Sequence, residues 1–305
     1  MKYFLGIDGG GTKTDLLLAD HLGKIKAEAE AGPTSLVAVG AKQAQQNLAE
    51  GLAAVIAELE EQDEIELAVF GLASVDTDQE EQQAAELFQD TFSQFPVNQF
   101  AVINDAIPAL VNATELENAI VLVAGTGSNC YGENEQGDTA KVSGLDYLLA
   151  DQGSAYDIGS KVLRAAAKSY DGRGPKSVLE DKLCQYFEVD RFENLKSKIY
   201  RPNLNKRQIA QLSQLWLEAL EENDEVAEAI FDWEADELWL MVITMVEHLD
   251  LAQTKFELVL EGSLAQSPRM VQYLSRQLKQ FNSQAEIVLP HQPAVHGALK
   301  MALGK

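Results

Sequence analysis

The chain has 305 residues, 46% of them hydrophobic, which is enough for two globular domains of ordinary composition. Its formal net charge of -24, from 48 Asp+Glu and 24 Lys+Arg, argues against binding to DNA, RNA or an anionic membrane. Two cysteines are too few for a disulfide scaffold, an iron–sulfur site or a Cys-rich zinc site. No apolar segment is long enough to span a bilayer and the first residues resemble a strand rather than a signal peptide, so we expect a soluble, cytoplasmic protein.

Residues 3–14, YFLGIDGGGTKT, are the most informative stretch of the sequence. An apolar run typical of a strand leads to Asp8 and three consecutive glycines, and a second apolar run follows at residues 16–19. Backbone amides in a turn without side chains can approach an anion closely, and a carboxylate at a strand end can hold a cation directly or through water. We therefore predict a turn between two strands that binds phosphate and metal, with Thr12 and Lys13 beside it.

Two other glycine-rich motifs do not fit this stretch. A P-loop requires Lys directly after its last glycine, and here Thr12 separates Gly11 from Lys13. A dinucleotide fingerprint that begins at Gly9 requires a third glycine where Thr14 stands, and a helix where the sequence predicts a strand. A glycine-rich hairpin that binds no ligand stays open as the simpler alternative.

The first part of the chain alternates between strand and helix patterns. The strand before the glycine turn and the strands at residues 16–19 and 24–30 are expected to form an antiparallel meander. Apolar residues at helical spacing predict the helices at residues 41–61 and 78–92, and short apolar runs predict the strands at residues 66–72 and 100–103. The last of these strands runs directly into Asn104 and Asp105.

The same pattern then begins again at residue 119. A strand at residues 119–124 leads to a second glycine cluster at residues 125–129, a second strand, a polar turn and a third strand at residues 138–143. Two similar halves, each with a glycine turn, suggest two lobes that face each other across a cleft. Two ordinary hairpins that happen to look alike are the alternative.

The remainder of the chain is mainly helical. Apolar residues at helical intervals predict helices, and two short apolar runs predict strands. The expected helices lie at residues 156–167, 177–187, 206–221, 224–249, 268–281 and 293–303, and the expected strands at residues 256–260 and 286–289.

With these motifs in place, the chain resembles the acetate-and-sugar-kinase, Hsp70 and actin superfamily. Within it, the chain is similar to the N-acetylglucosamine kinase branch of the BadF/BadG/BcrA/BcrD ATPase family. The resemblance rests on five motifs in the same order along nearly the whole chain. They are a first phosphate motif at residues 6–14, a second at 125–130 (GTGSNC), a segment at 150–156 (ADQGSAY) like the branch's G-D-E-G-S-A-Y, an adenosine motif at 258–263, and Gly297 and Ala298 of the helix that links the domains.

The resemblance implies an α/β fold of two ribonuclease-H-like (actin-like ATPase) domains with a ligand cleft between them. The first domain would comprise residues 1–115 and the C-terminal helix at about 292–305. The second would comprise residues 116–291, with a helical insertion at about 156–250. A homodimer is the expected assembly.

The resemblance also implies an ATP-dependent kinase for the 6-hydroxyl of an amino sugar, with Asp105 as the general base and Asp8 holding Mg²⁺ through water. The residues implied in ATP binding are Gly10, Gly11, Thr12, Lys13, Thr126, Gly127, Ser128, Gly262 and Ser263. Those implied in binding the sugar are Ser35, Ser74, Asp105, Gly144, Leu145, Asp146 and Asp151.

Several of these residues have simpler interpretations. Asp105 and Asp151 could merely cap the helices that follow them, Thr126 could be only a turn former, and Lys13 could point to solvent.

The sequence departs from the branch in the segment that resembles its sugar site. Gly144-Leu145-Asp146 stands where the branch commonly has G-W-G, Ser35 where Asn is usual and Gln152 where Glu is usual. Ser263 replaces the second glycine of the adenosine motif. The acid at position 146 could favour a sugar with a free amine, such as glucosamine, or could face solvent.

The main hypothesis is therefore an N-acetylglucosamine kinase, with a glucosamine or other hexose kinase as the alternative. A dehydratase-activating ATPase would need cysteines in other places, and a ROK-family kinase would need a Cys-rich zinc motif. A non-catalytic sugar or nucleotide sensor stays open as a hypothesis of another class.

Overall fold

A computed structural model describes residues 1–73, 75–201 and 204–304. The chain forms two five-stranded sheets, each covered by helices. We call the first sheet with its helices the first lobe, and the second sheet with its helices the second lobe.

The first lobe begins with an antiparallel meander and continues with parallel strands. Its elements are β1 (Lys2–Gly9), β2 (Thr14–Asp20), β3 (Ile25–Ala31), α1 (Leu36–Ile56), β4 (Glu64–Leu72), α2 (Asp78–Phe92), β5 (Phe100–Asn104) and α3 (Ala106–Ala113). The strand order is β3-β2-β1-β4-β5. Strands β4 and β5 run parallel to β1, while β2 and β3 run antiparallel to their neighbours.

The second lobe repeats this topology with a large helical insertion. Its elements are β6 (Ala119–Ala124), β7 (Ser128–Glu133), β8 (Thr139–Ser143), α4 (Asp146–Leu149), α5 (Ala155–Asp171), α6 (Leu179–Tyr186), a 3-10 turn (Phe192–Asn194), α7 (Leu195–Tyr200), α8 (Lys206–Gln211), α9 (Ser213–Glu221), α10 (Glu225–His248), β9 (Glu257–Glu261), α11 (Pro268–Phe281) and β10 (Glu286–Val288). The last helix, α12 (Val295–Ala302), follows β10 and belongs to the first lobe. The strand order β10-β9-β6-β7-β8 has the same pattern of parallel and antiparallel neighbours as the first sheet. The predicted α/β fold with two similar lobes is confirmed.

Each lobe has its own apolar core, which fixes the positions of the strand ends. Leu5, Ile7 and Phe70 are fully buried in the first lobe, and Leu122, Leu258 and Leu260 in the second. Because β1, β4 and β5 run in the same direction, their carboxyl ends lie at one edge of the sheet. Asp8 and Asp105 are therefore brought to the same edge, although they are far apart in sequence.

Helix α12 packs on the first lobe through two glycines. A Cβ added at Gly6 of β1 would lie 2.5 Å from the Leu299 amide nitrogen, and one added at Gly297 would overlap the carbonyl oxygen of Pro108 in α3. Both glycines are thus required by close backbone contact rather than by an unusual φ angle. The last helix covers the strand that leads to the first glycine turn. The domain boundaries given above stay predictions.

The structure differs from the sequence-based elements mainly at helix ends. Helix α1 includes a short additional segment from Leu36, and Gly40, with φ 74° and ψ 162°, separates this segment from the helix expected to start at residue 41. The single helix expected at residues 206–221 is divided into α8 and α9 at Leu212. There the amides of Leu212 and Leu215 bond to carbonyl oxygens three residues earlier, which tightens the turn. Within the described residues, no helix has the length and apolar character needed to cross a bilayer.

Candidate active site

A cavity of about 410 Å³ lies between the two lobes, and both lobes line it. From the first lobe, its walls include Gly10, Gly11, Ser35, Asp76 and Asp105. From the second lobe, they include Gly125, Thr126, Gly127, Ser128, Asn129, Gly144, Asp146, Asp151, Asn205, Lys206 and Arg207. Residues predicted from widely separated motifs therefore share one space.

The first glycine turn is held in place by the loop before α1. The Gly10 amide donates to the Lys13 carbonyl oxygen (3.0 Å), and the Gly10 carbonyl oxygen accepts from the amides of Thr34 and Ser35 (both 3.2 Å). The Thr14 hydroxyl, which is buried, donates to the Gly32 carbonyl oxygen (2.8 Å). These bonds fix the turn so that Gly10 and Gly11 face the cavity.

The Lys13 ammonium forms ion pairs with two carboxylates, one on β2 and one on β3. Its ammonium lies 3.0 Å from Asp15 Oδ1 and 3.1 Å from Glu30 Oε2, and its side chain is 52% exposed. Thr12 is exposed as well. Neither residue is among those that line the cavity, so contact with a phosphate would require Lys13 to leave its present partners.

The second glycine turn is tied to the start of α5. The Gly125 carbonyl oxygen accepts from the Ala155 amide (2.8 Å), and the Thr126 carbonyl oxygen accepts from the Tyr156 amide (3.3 Å). The Ser128 amide donates to Asp151 Oδ1 (3.1 Å). Because a Cβ on Gly127 would lie 3.0 Å from Asp151 Oδ2, the absence of a side chain there lets Asp151 approach the turn.

Gly262 and Ser263 lie beside the second glycine turn, outside the cavity lining. Gly262 has φ 89°, and a Cβ there would lie 2.5 Å from the Ala124 carbonyl oxygen. The Leu264 amide donates to the same oxygen (3.0 Å). Glycine is required at position 262 because of both the φ angle and the close approach.

Asp105 lies at the junction of β5 and α3 and faces the cavity. Asp105 precedes the first residue of α3 but makes no side-chain capping bond, and Asn104 Oδ1 accepts from the Ala106 amide (3.0 Å). Burial raises the pKa of Asp105 to about 6, the charge of Lys141 lowers it and the charge of Asp76 raises it. A carboxylate with such a pKa is suited to accept a proton near neutral pH.

Asp8 is the second acid at this edge of the sheet. Burial raises its pKa to about 7, and the negative charges of Asp105, Asp15 and Glu261 raise it further than Lys13 lowers it. Such an excess of negative charge suits a divalent cation. In the described residues, no group of three or more His, Cys, Asp or Glu side chains is arranged to hold a metal ion directly.

An ion pair connects the lobes next to the acidic edge. Lys141 of β8 pairs with Asp76, which follows β4, and Asn104 Nδ2 donates to the same Asp76 carboxylate (3.2 Å). Gly144, with φ 74°, leaves room for this pair, because a Cβ there would lie 2.8 Å from Lys141 Cε and 3.1 Å from Asp76 Oδ1.

Asp146 and Asp151 share one lysine from the helical insertion. Lys206 Nζ lies 2.5 Å from Asp146 Oδ1 and 2.7 Å from Asp151 Oδ2. Burial alone would lower the pKa of Lys206, but the two carboxylates raise it above its ordinary value. Asp146 therefore lines the cavity and is paired there, while its side chain stays 33% exposed.

The other residues predicted to bind the sugar differ in how far they are exposed. Ser35 is buried and lines the cavity, while Leu145 is 58% exposed. Ser74 lies outside the described residues, so its predicted role stays a prediction.

Residues of the site that were not assigned a role from the sequence include Asp76, Asn129, Lys141 and Lys206. Asn129 Oδ1 is buried and has no hydrogen-bond partner among the described residues, although it belongs to the recognised glycine segment. Asp76 lies shortly after the strand predicted at residues 66–72, and an acid in that position could have been recognised as a candidate site residue. Lys141 lies within a strand and Lys206 within a helical tract, and neither position carries a local signal of function.

A model of the BadF/BadG/BcrA/BcrD ATPase family matches residues 5–302 of the chain. The chain belongs to this family. It is 32% identical over 285 residues to the N-acetylmuramic acid/N-acetylglucosamine kinase of Clostridium acetobutylicum, with 92% of this chain and 90% of that protein covered. It is 30% identical over 314 residues to the N-acetyl-D-glucosamine kinase of Dictyostelium discoideum, with 99% and 98% covered.

The fold of this family member is also similar to that of solved structures. A Chromobacterium violaceum protein superposes with a TM-score of 0.80 at 23% identity, with 99% of both chains covered. This agreement extends over both lobes and the helical insertion. At this level of identity, it supports the fold alone.

Proposed function

We propose that this chain is an ATP-dependent kinase that transfers the γ-phosphoryl group of ATP to the 6-hydroxyl of an amino sugar, N-acetylglucosamine. The relatives from Clostridium and Dictyostelium, which this chain matches along most of its length, are named as kinases of N-acetylated amino sugars. The observation that carries the proposal is the position of Asp105 in a cavity that both glycine turns line.

Asp105 would act as the general base. Its carboxylate would accept the proton of the sugar hydroxyl as that oxygen attacks the γ-phosphorus. Phosphoryl transfer passes through a loose transition state, so catalysis depends on positioning and charge stabilisation more than on a strong base. The Asp105 carboxylate lies at the end of a strand and lines the cavity, a position that fits this role.

The two glycine turns would hold the phosphates. Gly10 and Gly11 would contact them from the first lobe, with Thr12 and Lys13 joining after rearrangement. Thr126, Gly127 and Ser128 would contact them from the second lobe. Gly262 and Ser263, beside the second turn, would receive the adenosine. Amides that face the phosphates from two lobes would also couple nucleotide binding to closure of the cleft.

Asp8 would hold Mg²⁺ through water. The concentration of acids around Asp8 fits a dication, which would neutralise charge on the transferring phosphates when bound. The sugar would lie between Ser35, Asp105, Asp151 and the segment from Gly144 to Asp146.

A coupled ADP-release assay tests this proposal. The purified chain is given ATP, MgCl₂ and a panel that includes N-acetylglucosamine, N-acetylmuramic acid, glucosamine and glucose. We expect turnover that depends on the sugar and is fastest with N-acetylglucosamine. If no sugar stimulates ADP release although nucleotide binds, the chain is a sensor and the kinase proposal is wrong. Sedimentation velocity on the same sample tests the proposed homodimer.

A further inference from the structure

Every carboxylate that lines the cavity, apart from Asp105, is already paired with a lysine. Among the described residues, the lining carboxylates are Asp76, Asp105, Asp146 and Asp151. Asp76 is bound by Lys141, and Asp146 and Asp151 are bridged by Lys206. A protonated amine in this cavity would thus find, in the described part of the chain, no unpaired acid other than the proposed general base.

Lys206 is held firmly between its two partners. It is the first residue of α8, where Asn205 and Gln208 form a reciprocal capping box. Helix α8 packs closely on α5, because Gly159 has no Cβ where one would overlap the Ile209 carbonyl oxygen. The Lys206 side chain is 22% exposed, and its ammonium lies 5.5 Å from the centre of the Tyr147 ring. The ammonium is therefore a fixed part of the cavity wall.

We propose that Lys206 selects the acceptor by charge, because its ammonium takes the place between Asp146 and Asp151 that the amino group of an unacylated amino sugar would otherwise take. The inference rests on the proposed kinase function and narrows its substrate class to amino sugars whose nitrogen is acylated and neutral.

The physical basis is competition between two cations for one pair of acids. A second ammonium would have to displace Lys206 from a buried carboxylate or lie against it at short range, and both are unfavourable where the surroundings are poorly hydrated. An acetamido group carries no charge, so it avoids this repulsion. Selectivity through repulsion of the wrong partner is a common means of discrimination. This argument opposes the alternative that Asp146 favours a free amine.

The test compares the binding of two sugars that differ only in the acetyl group. Isothermal titration calorimetry measures the Kd values of N-acetylglucosamine and glucosamine for the full chain with a non-hydrolysable ATP analogue and Mg²⁺, at about pH 6.5, where amino groups are protonated. We expect wild-type protein to bind N-acetylglucosamine at least about tenfold more tightly. Lys206→Met should change the ratio of the two Kd values by at least about tenfold in favour of glucosamine.

Three further variants distinguish an effect of the Lys206 charge from an effect on the folded structure. Lys206→Gln repeats the loss of charge with a polar side chain, in case the Met variant does not fold. Lys206→Arg keeps the charge and should keep the wild-type ratio. Lys182→Met is the matched control, because Lys182 also bridges two acids of the insertion, Glu218 (3.1 Å) and Glu222 (2.8 Å), away from the cavity lining. It should leave the ratio unchanged.

The inference is overturned if wild-type protein binds glucosamine as tightly as N-acetylglucosamine. It is also overturned if Lys206→Met and Lys206→Gln weaken both sugars by the same factor, or if Lys206→Arg shifts the ratio as Met does. These measurements record binding alone, so a chain that binds sugars selectively but never releases ADP would refute the kinase proposal and still decide the role of Lys206.

Discussion

Lys141 and Asp76 form an ion pair that joins the two lobes at the wall of the cavity. The pair brings one positive and one negative charge near Asp105, where they change the pKa of that carboxyl in opposite directions. Because Lys141 belongs to the second lobe and Asp76 to the first, this balance exists only while the lobes are together. The charge state of the proposed base therefore depends on the contact between the lobes.

The wild-type enzyme should lose activity in mildly acidic solution. Burial raises the pKa of Asp105 to about 6, and only the deprotonated carboxylate can accept a proton. As the pH falls through about 6, kcat/KM should fall about tenfold per pH unit, because kcat/KM reports the ionisation of the free enzyme. A pH profile of kcat/KM with N-acetylglucosamine checks this. Constant kcat/KM down to about pH 4.5 would exclude a base with a raised pKa.

Removing the two members of the inter-lobe pair should move this pH profile in opposite directions. Lys141→Met removes the positive charge that lowers the pKa of Asp105, so the acid limb should move to higher pH. Asp76→Asn removes the negative charge that raises this pKa, so the acid limb should move to lower pH. Both variants break the same ion pair. Shifts of the same sign would mean that the pair acts only by holding the lobes together.

Asp105→Asn should abolish turnover and leave nucleotide binding nearly intact. The amide keeps the shape of the side chain but accepts no proton, and loss of a general base typically costs about 10²- to 10⁴-fold in rate. Rates come from the ADP-release assay and nucleotide affinity from calorimetry. Asp90→Asn, an exposed substitution on α2, is the control and should keep wild-type values. An equal loss of turnover and nucleotide binding would make Asp105 a structural residue.

Asp8→Asn should stabilise the ligand-free protein at high pH while it lowers activity. The pKa of Asp8 is raised to about 7 in the folded state, so the folded protein binds its proton more tightly than the unfolded chain does. Ionisation of Asp8 therefore costs stability as the pH rises from about 4 through 7, by up to about 4 kcal/mol on linkage arguments.

Thermal unfolding at about pH 5 and pH 8 without nucleotide measures this effect. The variant should lose less stability between these two pH values than wild-type protein does. Its kcat should fall at least about 10²-fold, because the acid proposed to hold Mg²⁺ is gone. A variant with wild-type turnover at low MgCl₂ would contradict the assigned role of Asp8.

Gly297→Ala should destabilise the first lobe. The added methyl group would overlap the Pro108 carbonyl oxygen, which belongs to helix backbone and cannot rotate away. We expect the free energy of unfolding to fall by at least about 2 kcal/mol, measured by urea denaturation. Gly125→Ala is the control for stability, because a Cβ added there would meet no atom within 4 Å. If both variants unfold at the same urea concentration, the packing of α12 tolerates a side chain.

Much of the candidate site could be predicted because its residues belong to short motifs that are recognisable in the sequence. The glycine turns lie between strands whose apolar runs are plain in the sequence, and Asp105 stands where a strand meets a helix. The end of a strand and the polar residue that follows it can be recognised in the sequence. Parallel strands bring their carboxyl ends to one edge of a sheet, so residues at those ends are expected to lie close together. The doubled strand pattern also indicated two lobes, which the repeated sheet topology confirms.

The lysines that complete the site could not be predicted because they act across long distances in sequence. Lys141 meets Asp76 only after the two sheets have come together, and Lys206 reaches Asp151 only after the insertion has folded back over the cavity. In the sequence alone, neither lysine can be distinguished from the many other polar residues that are expected to be exposed. The departure at Asp146 was recognised, but its consequence depended on a partner located in another helix.

Helix α12 gives the first lobe an unusual order of assembly. The strand that leads to the first glycine turn is synthesised long before residues 295–302, which cover it. A nascent chain can thus complete the second lobe before the first has its full set of packed layers. Early termination of translation would leave the second lobe and its glycine turn nearly whole, paired with a first lobe whose β1 is exposed along one side.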